Sequence, residues 1–149
     1  MNIVYEDVDP FKFLEEMKAI FPAHYEELCV TKDFPLDPDY DAYKRMSESG
    51  QLKAVICRAE AEVIGYIVFI IQPHLHYKTC LTAFEDLYYV KKEYRKGRVG
   101  LKLFQYAEKA LRNIGVNRII MHTKVIQDHS RLFEYLGYTN TDKLFTKLL

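Results

Sequence analysis

Six lysines and arginines crowd into residues 91–102 of this 149-residue chain: Lys91, Lys92, Arg95, Lys96, Arg98 and Lys102. Gly97 and Gly100 lie among them, and an amphipathic stretch follows at once, with Leu103, Phe104, Ala107 and Leu111 recurring at helical spacing. A helix that starts in such a loop makes an anion site. Its first-turn N–H groups have no partner, and its dipole places about half a positive charge there. A phosphate or pyrophosphate suits that chemistry, with Arg95, Lys96, Gly97, Arg98, Val99 and Gly100 as the residues around it. The plainer alternative is a solvated basic loop. A dinucleotide-binding glycine motif or a Gly-Lys-Ser/Thr phosphate loop would need residues that are not present.

Two groups of titratable side chains offer other chemistry. Asp86 lies four residues before Val90 in an apolar run, and strand alternation puts it on one face with Tyr88 and Val90 while Glu85 points to the other. His122 sits in the next apolar stretch and ordinarily titrates near pH 6.5, so it suits a general base acting directly or through a water, with Asp86 orienting it or holding the ammonium of an amine substrate. A strand-edge ion pair and a core histidine are the competing readings. His74 and His76, two apart, would share a strand face as a metal pair does, and His122 could converge on them. No third and fourth ligand follows at motif spacing, so no metal is assigned. Cys29, Cys57 and Cys80 are an odd count without a Cys-x-x-Cys spacing and read as reduced thiols.

The elements that must hold these residues are legible in order. Strands are expected at 2–5, 51–58, 63–72, 79–90, 118–124 and 138–147, with a hairpin turning at Glu60-Ala61-Glu62 and Pro73 ending the third strand. Helices are expected from Asp9-Pro10 to residue 20, over 23–30 after a break at Phe21-Pro22, and over 40–48. Two more follow: one from Gly97, closed by Gly115, and one over 130–136, capped by Asp128 and ended by Gly137. Residues 1–149 read as a single domain.

Composition narrows the classes. Hydrophobic residues make up 49%, which excludes disorder. Residues 1–50 carry 12 acids and 5 bases, and residues 51–149 carry 9 and 16. The charge is balanced overall and the pI is about 7.0, so a small anion explains the basic cluster better than nucleic acid does. The N-terminus is acidic and the longest apolar run, 63–71, is too short to span a bilayer. A cytoplasmic protein with no membrane partner is expected.

The order of elements, with Arg95-Lys96-Gly97-Arg98-Val99-Gly100 preceded by Val90, resembles the GNAT superfamily of acyl-CoA-dependent N-acetyltransferases over nearly the whole chain. Arg98 replaces the middle glycine of the family's Arg/Gln-x-x-Gly-x-Gly/Ala motif. Leu132-Phe133-Glu134-Tyr135-Leu136-Gly137-Tyr138 is similar to a second family segment. His74-Leu75-His76-Tyr77, Ala83 with Asp86, and Met121-His122 with Lys124 resemble phage-encoded members.

The resemblance implies an α/β fold: a mixed, mostly antiparallel sheet flanked by helices, in which two parallel strands ending at Val90 and Lys124 splay apart. It also implies acetyl-CoA as cosubstrate, its pyrophosphate on residues 96–100 and its pantetheine arm paired with the backbone of Tyr89 and Val90. Direct transfer to an amine would follow, the acceptor and the oligomeric state being open. It places Asp86 where related polyamine acetyltransferases carry a carboxylate. Phe133 stands where many members have a tyrosine that protonates the leaving thiolate, and is expected beside the coenzyme's sulfur-bearing arm. That substitution keeps a catalytically silent acyl-CoA binder or virion-associated protein as one alternative, and a metal-dependent enzyme built on His74, His76 and His122 as another.

Overall fold

The run EVIGYIVFIIQPH forms the middle strand of a five-stranded sheet in the computed structural model, which describes residues 2–29 and 33–149. The strands are β1 (Ile3–Val8), β2 (Leu52–Ala59), β3 (Glu62–His74), β4 (Tyr77–Val90) and β5 (Arg118–Ile120), and they lie in that order across the sheet. The first four pair antiparallel. β4 and β5 are parallel, joined by the long crossover helix α4 (Val99–Asn113). Helices α1 (Pro10–Lys18), α2 (Phe21–Leu28) and α3 (Tyr40–Glu48) precede β2, and α5 (Ser130–Tyr135) follows β5.

Both faces of the sheet are covered, so β3 shows no alternation in its sequence. On one side Phe13, Leu14, Met17 and Phe21 pack on Ala54, Ile56, Tyr66 and Val68. On the other, Leu103, Phe104, Ala107 and Leu111 of α4 pack on Val55, Cys57, Ile67 and Phe69. Local chemistry sets the helix ends. Asp9 Oδ1 accepts from the N–H groups of Phe11 (3.0 Å) and Lys12 (2.9 Å), a cap of the kind worth about 1 kcal/mol. Gly97, Gly115 and Gly137 have φ of 107°, 86° and 91°, the left-handed region in which a side chain is strained.

Gly65 answers a different need. It lies opposite Val90, and a Cβ there would stand 2.8 Å from the Tyr89 carbonyl oxygen and 2.9 Å from Cys57 Sγ. The end of β4 is thus seated directly on β3.

The expected mixed sheet flanked by helices is the observed architecture. Some boundaries differ. Phe21-Pro22 opens α2 instead of merely interrupting a helix, because proline's fixed φ suits a first turn; the expected extension of this helix to Val30 falls outside the described residues. β3 continues past Pro73, where a register shift accommodates the missing N–H. β5 is three residues long, not seven. The expected last strand, 138–147, does not form, and Leu144 (82%) and Phe145 (88%) are exposed. A strand needs a neighbour, and adjacent Leu144 and Phe145 would face opposite sides with nothing to cover both. Among the described residues no helix is long and apolar enough to cross a membrane.

Candidate active site

β4 and β5 pair only from Thr82 to Phe84 and from Arg118 to Ile120, then part. At the same point β4 departs from its ladder with β3: Leu87 lies opposite Val68 but Glu85 lies opposite Phe69, leaving Asp86 as an unpaired bulge residue. The bulge corrects the expected facing of Glu85. Glu85 is turned not away from His122 but onto it, with Oε2 2.6 Å from His122 Nδ1 and 3.4 Å from the His122 backbone N–H. The Glu85 side chain is 2% exposed and that of His122 38%, so a buried carboxyl group orients an imidazole that reaches solvent. The Glu85 hydrogen bond raises the His122 pKa above 6.5; burial and Lys124 pull the other way, and Asp86 adds to the rise. Asp86 does not hold the ring. Its side chain borders the cleft, and desolvation there, followed by the charge of Glu85, raises its pKa.

The splay opens into two adjoining cavities. The larger, about 520 Å³, has Glu85, Asp86 and His122 at its floor and is walled by α2, the 34–38 loop and Tyr43 of α3. The smaller, about 200 Å³, runs along Tyr88, Tyr89 and Val90 to Gly97 and Gly100. Leu28, Tyr88, Gln127 and His129 border both, so a group reaching from one to the other passes between them. Burial pushes the Tyr88 phenol well above its usual pKa of 10, so it stays protonated. His24 stacks on Tyr89 at 4.8 Å and shares a 2.7 Å hydrogen bond with the Tyr66 hydroxyl, and burial lowers its pKa to about 4. It is therefore neutral near pH 7.

Of residues 96–100, Gly97 and Gly100 border the smaller cavity. Lys96, Gly97 and Arg98 are exposed, and α4 begins at Val99 without a side-chain cap, leaving first-turn N–H groups for a ligand. Arg95 is placed differently from the sequence expectation. Its Nε donates to the Val90 carbonyl at 2.7 Å, and its two terminal nitrogens form a bidentate pair with Glu27 of α2, Nη2 to Oε2 at 2.8 Å. Its guanidinium thus ties α2 to the loop before α4, and Arg95 also borders the smaller cavity.

Phe133 also departs from expectation. It is 8% exposed and packs edge-on against Phe104 and Tyr88 (5.6 and 6.4 Å between ring centres), and it borders neither cavity; His129 and Leu132 do so in its place. Phe133→Tyr is accordingly expected to bury a hydroxyl, costing about 1–3 kcal/mol in a urea melt, with no gain in turnover. An unchanged midpoint with faster turnover would return Phe133 to the site.

Among the described residues no group of three His, Cys, Asp or Glu side chains is arranged for a metal. His74 and His76 sit at the β3–β4 turn, their rings 5.6 Å apart, with His74 Nδ1 accepting from the His76 N–H, while His122 is joined to Glu85 farther along β4. Sequence reasoning missed Glu85, Tyr88 and His129 as site residues. The Glu-Asp doublet was the available signal for Glu85; nothing in the spacing marks His129.

Comparison with solved structures gives the same fold. A predicted acetyltransferase with acetyl-CoA from Clostridium acetobutylicum superposes with a TM-score of 0.79 at 11% identity, covering 99% of this chain and 96% of that one. An aminoglycoside acetyltransferase from an uncultured soil metagenomic sample, in complex with sisomicin, gives 0.76 at 13% identity, with 99% and 96% covered. A ribosomal-protein-alanine N-acetyltransferase from Brucella melitensis biovar Abortus gives 0.74 at 11% identity, with 99% of each chain covered. No curated protein matches the sequence. The profile described as the Acetyltransferase (GNAT) family matches residues 14–138, so the chain belongs to that family.

Proposed function

We propose that the protein moves the acetyl group of acetyl-CoA directly to a primary amine, with His122 as general base, Glu85 orienting it, and Asp86 receiving the ammonium. The carrying observation is the meeting of two cavities, one holding the Glu85–His122 pair and the other leading to the uncapped start of α4. The amides of residues 97–100, with Lys96 and Arg98, hold the pyrophosphate. Tyr89 and Val90 offer backbone groups to the pantetheine arm on the side of β4 that β5 leaves open. Arg95 supports the Val90 carbonyl from below rather than binding phosphate itself.

A lysine-like amine has a pKa of about 10.4 and arrives protonated. Nδ1 of His122 is taken by Glu85, so Nε2 accepts the ammonium proton. The freed nitrogen attacks the thioester carbonyl, the N–C bond forms, the C–S bond breaks, the coenzyme leaves as thiolate, and the acylated nitrogen sheds a second proton that replaces the one given to the thiolate. The Tyr88 phenol, bordering both cavities, is the proton donor to that thiolate in place of Phe133.

The first test is binding. Acetyl-CoA at 100 times its dissociation constant is expected to add about 2.7 kcal/mol of stability, and Arg98→Glu to remove most of that gain. An unchanged melting curve at millimolar acetyl-CoA would refute the anion site. The second test is transfer to an amine panel, read as acetylated product by mass spectrometry. A silent acyl-CoA binder is the outcome in which the melting shift persists and no product forms.

A further inference from the structure

The larger cavity carries a statement about the acceptor. Its floor and its walls differ in kind. At the floor are Glu85, Asp86 and His122; Glu85 is committed to His122, which leaves Asp86 as the carboxyl group there without a committed partner. Phe21, Leu28, Phe34, Pro35, Leu36 and Tyr43 make an apolar and aromatic stretch of the wall, while His24, Gln127 and His129 border the cavity elsewhere. Phe34 and Leu36 border the cavity yet remain 68% and 43% exposed, so apolar surface stands ready to be covered by something not part of the chain.

The wall is also held in place. The Tyr25 hydroxyl donates to the Phe34 carbonyl at 2.6 Å, fastening the loop to α2, and Pro35 and Pro38 restrict the backbone on either side of Leu36. Charge sets the number of ammonium groups. Lys124 borders the same cavity and repels a second cation; Asp37, the remaining acid of the lining, lies on the exposed loop at the mouth. A polycation would leave its further charges against Phe34, Leu36 and Lys124. A volume of about 520 Å³ holds a small molecule with a ring-sized body.

We propose that the acceptor is a small amine with a single ammonium group and an apolar, ring-sized body, its nitrogen between Asp86 and His122 and its body under Phe34 and Leu36. This rests on the N-acetyltransferase reading above and narrows it to a substrate class. The reaction is the one already balanced: the ammonium loses one proton to His122, the nitrogen gains the acetyl group and sheds a second proton, and the neutral amide, having lost its hold on Asp86, leaves.

The test compares 2-phenylethylamine and hexylamine with spermidine, kanamycin and a short peptide whose free N-terminal residue is leucine. Each is supplied with saturating acetyl-CoA, and product is counted by mass spectrometry. The expected result is a kcat/KM for the two apolar amines at least roughly tenfold above the others, the size of effect that apolar contacts supply. Phe34→Asp and Leu36→Asp, both exposed and tolerable to the fold, should raise KM for 2-phenylethylamine by roughly tenfold while leaving acetyl-CoA stabilisation unchanged.

Equal or better use of spermidine, kanamycin or the peptide overturns the proposal, as does indifference of 2-phenylethylamine to both loop variants. Failure of the underlying reading looks different: no amine is acetylated and acetyl-CoA does not raise the Tm. The cavity is then judged by ligand-observed NMR with 2-phenylethylamine. Binding that Phe34→Asp abolishes upholds the apolar-amine site, and no binding removes it.

Discussion

His122→Gln is expected to lower acetyl transfer at least about a hundredfold, the low end of what losing a general base costs, while acetyl-CoA still stabilises the variant. The expectation rests on the 2.6 Å contact that fixes His122 Nδ1 on a buried Glu85 and directs Nε2 to the acceptor cavity. It carries a pH signature. A His122 pKa raised above 6.5 means that the ring holds its proton more tightly, so its base form, and the rate, grow as pH rises through that higher value. Glu85→Gln takes away the largest cause of the rise, so the acid limb of kcat/KM should move to lower pH as the maximal rate falls. Asp86→Asn should act mainly on KM for the amine, since Asp86 receives the ammonium and does not touch the ring's held nitrogen. Near-wild-type rates in His122→Gln and Glu85→Gln would remove the pair from the mechanism.

Gly65→Ala should be nearly as damaging without touching a reacting atom. Its Cβ would lie 2.8 Å from the Tyr89 carbonyl and 3.0 Å from Val90 Cγ2, and the first of these is backbone that cannot swing aside. β4 must move by several tenths of an ångström or the chain must absorb the strain. Overpacking of this kind costs about 1–3 kcal/mol, and in a domain of this size each kcal/mol lowers the Tm by roughly 2–4 °C. The displaced backbone is the stretch offered to the pantetheine arm, so turnover should fall about tenfold to a hundredfold as the thioester shifts against His122. Stability is read by calorimetry and turnover at a temperature where the variant is folded. A variant with wild-type Tm and rate would show that β3 and β4 are less closely seated than their register requires.

What the sequence disclosed follows from how far each property depends on neighbours in the chain. The amphipathic period of α4, its basic glycine-containing approach and its closure at Gly115 are local, and they stand in the structure at Val99–Asn113 with Gly115 at φ 86°. The basic loop and the start of the helix it feeds were therefore readable before any tertiary contact was known. Arg95 was not, because its partner Glu27 comes from a helix 68 residues earlier, and nothing in the basic loop announces an acid there. Phe133 was placed by likeness to a segment, and its ring turns into the core with Phe104 while His129 and Leu132 face the cavity. The tail after Tyr138 has strand-forming residues, but strand formation is a property of pairs, and no described segment pairs with it.

The extra residue at Asp86 has a consequence that concerns counting rather than chemistry. Side chains on a strand alternate, so a strand has a parity. In β4 the odd positions Ala83 and Glu85 belong to the α4 side, yet beyond Asp86 it is the even positions Tyr88 and Val90 that do, while Leu87 and Tyr89 turn to the α1 side. One residue exchanges the two halves. Tyr88 stands against Phe104 and His129, and Tyr89 against His24, only because the count changes by one upstream of them. The same residues paired without the bulge would put Leu87 where Tyr88 now stands and Tyr88 where Tyr89 does. The identity of this site is therefore written as much in where β4 breaks its ladder as in its letters.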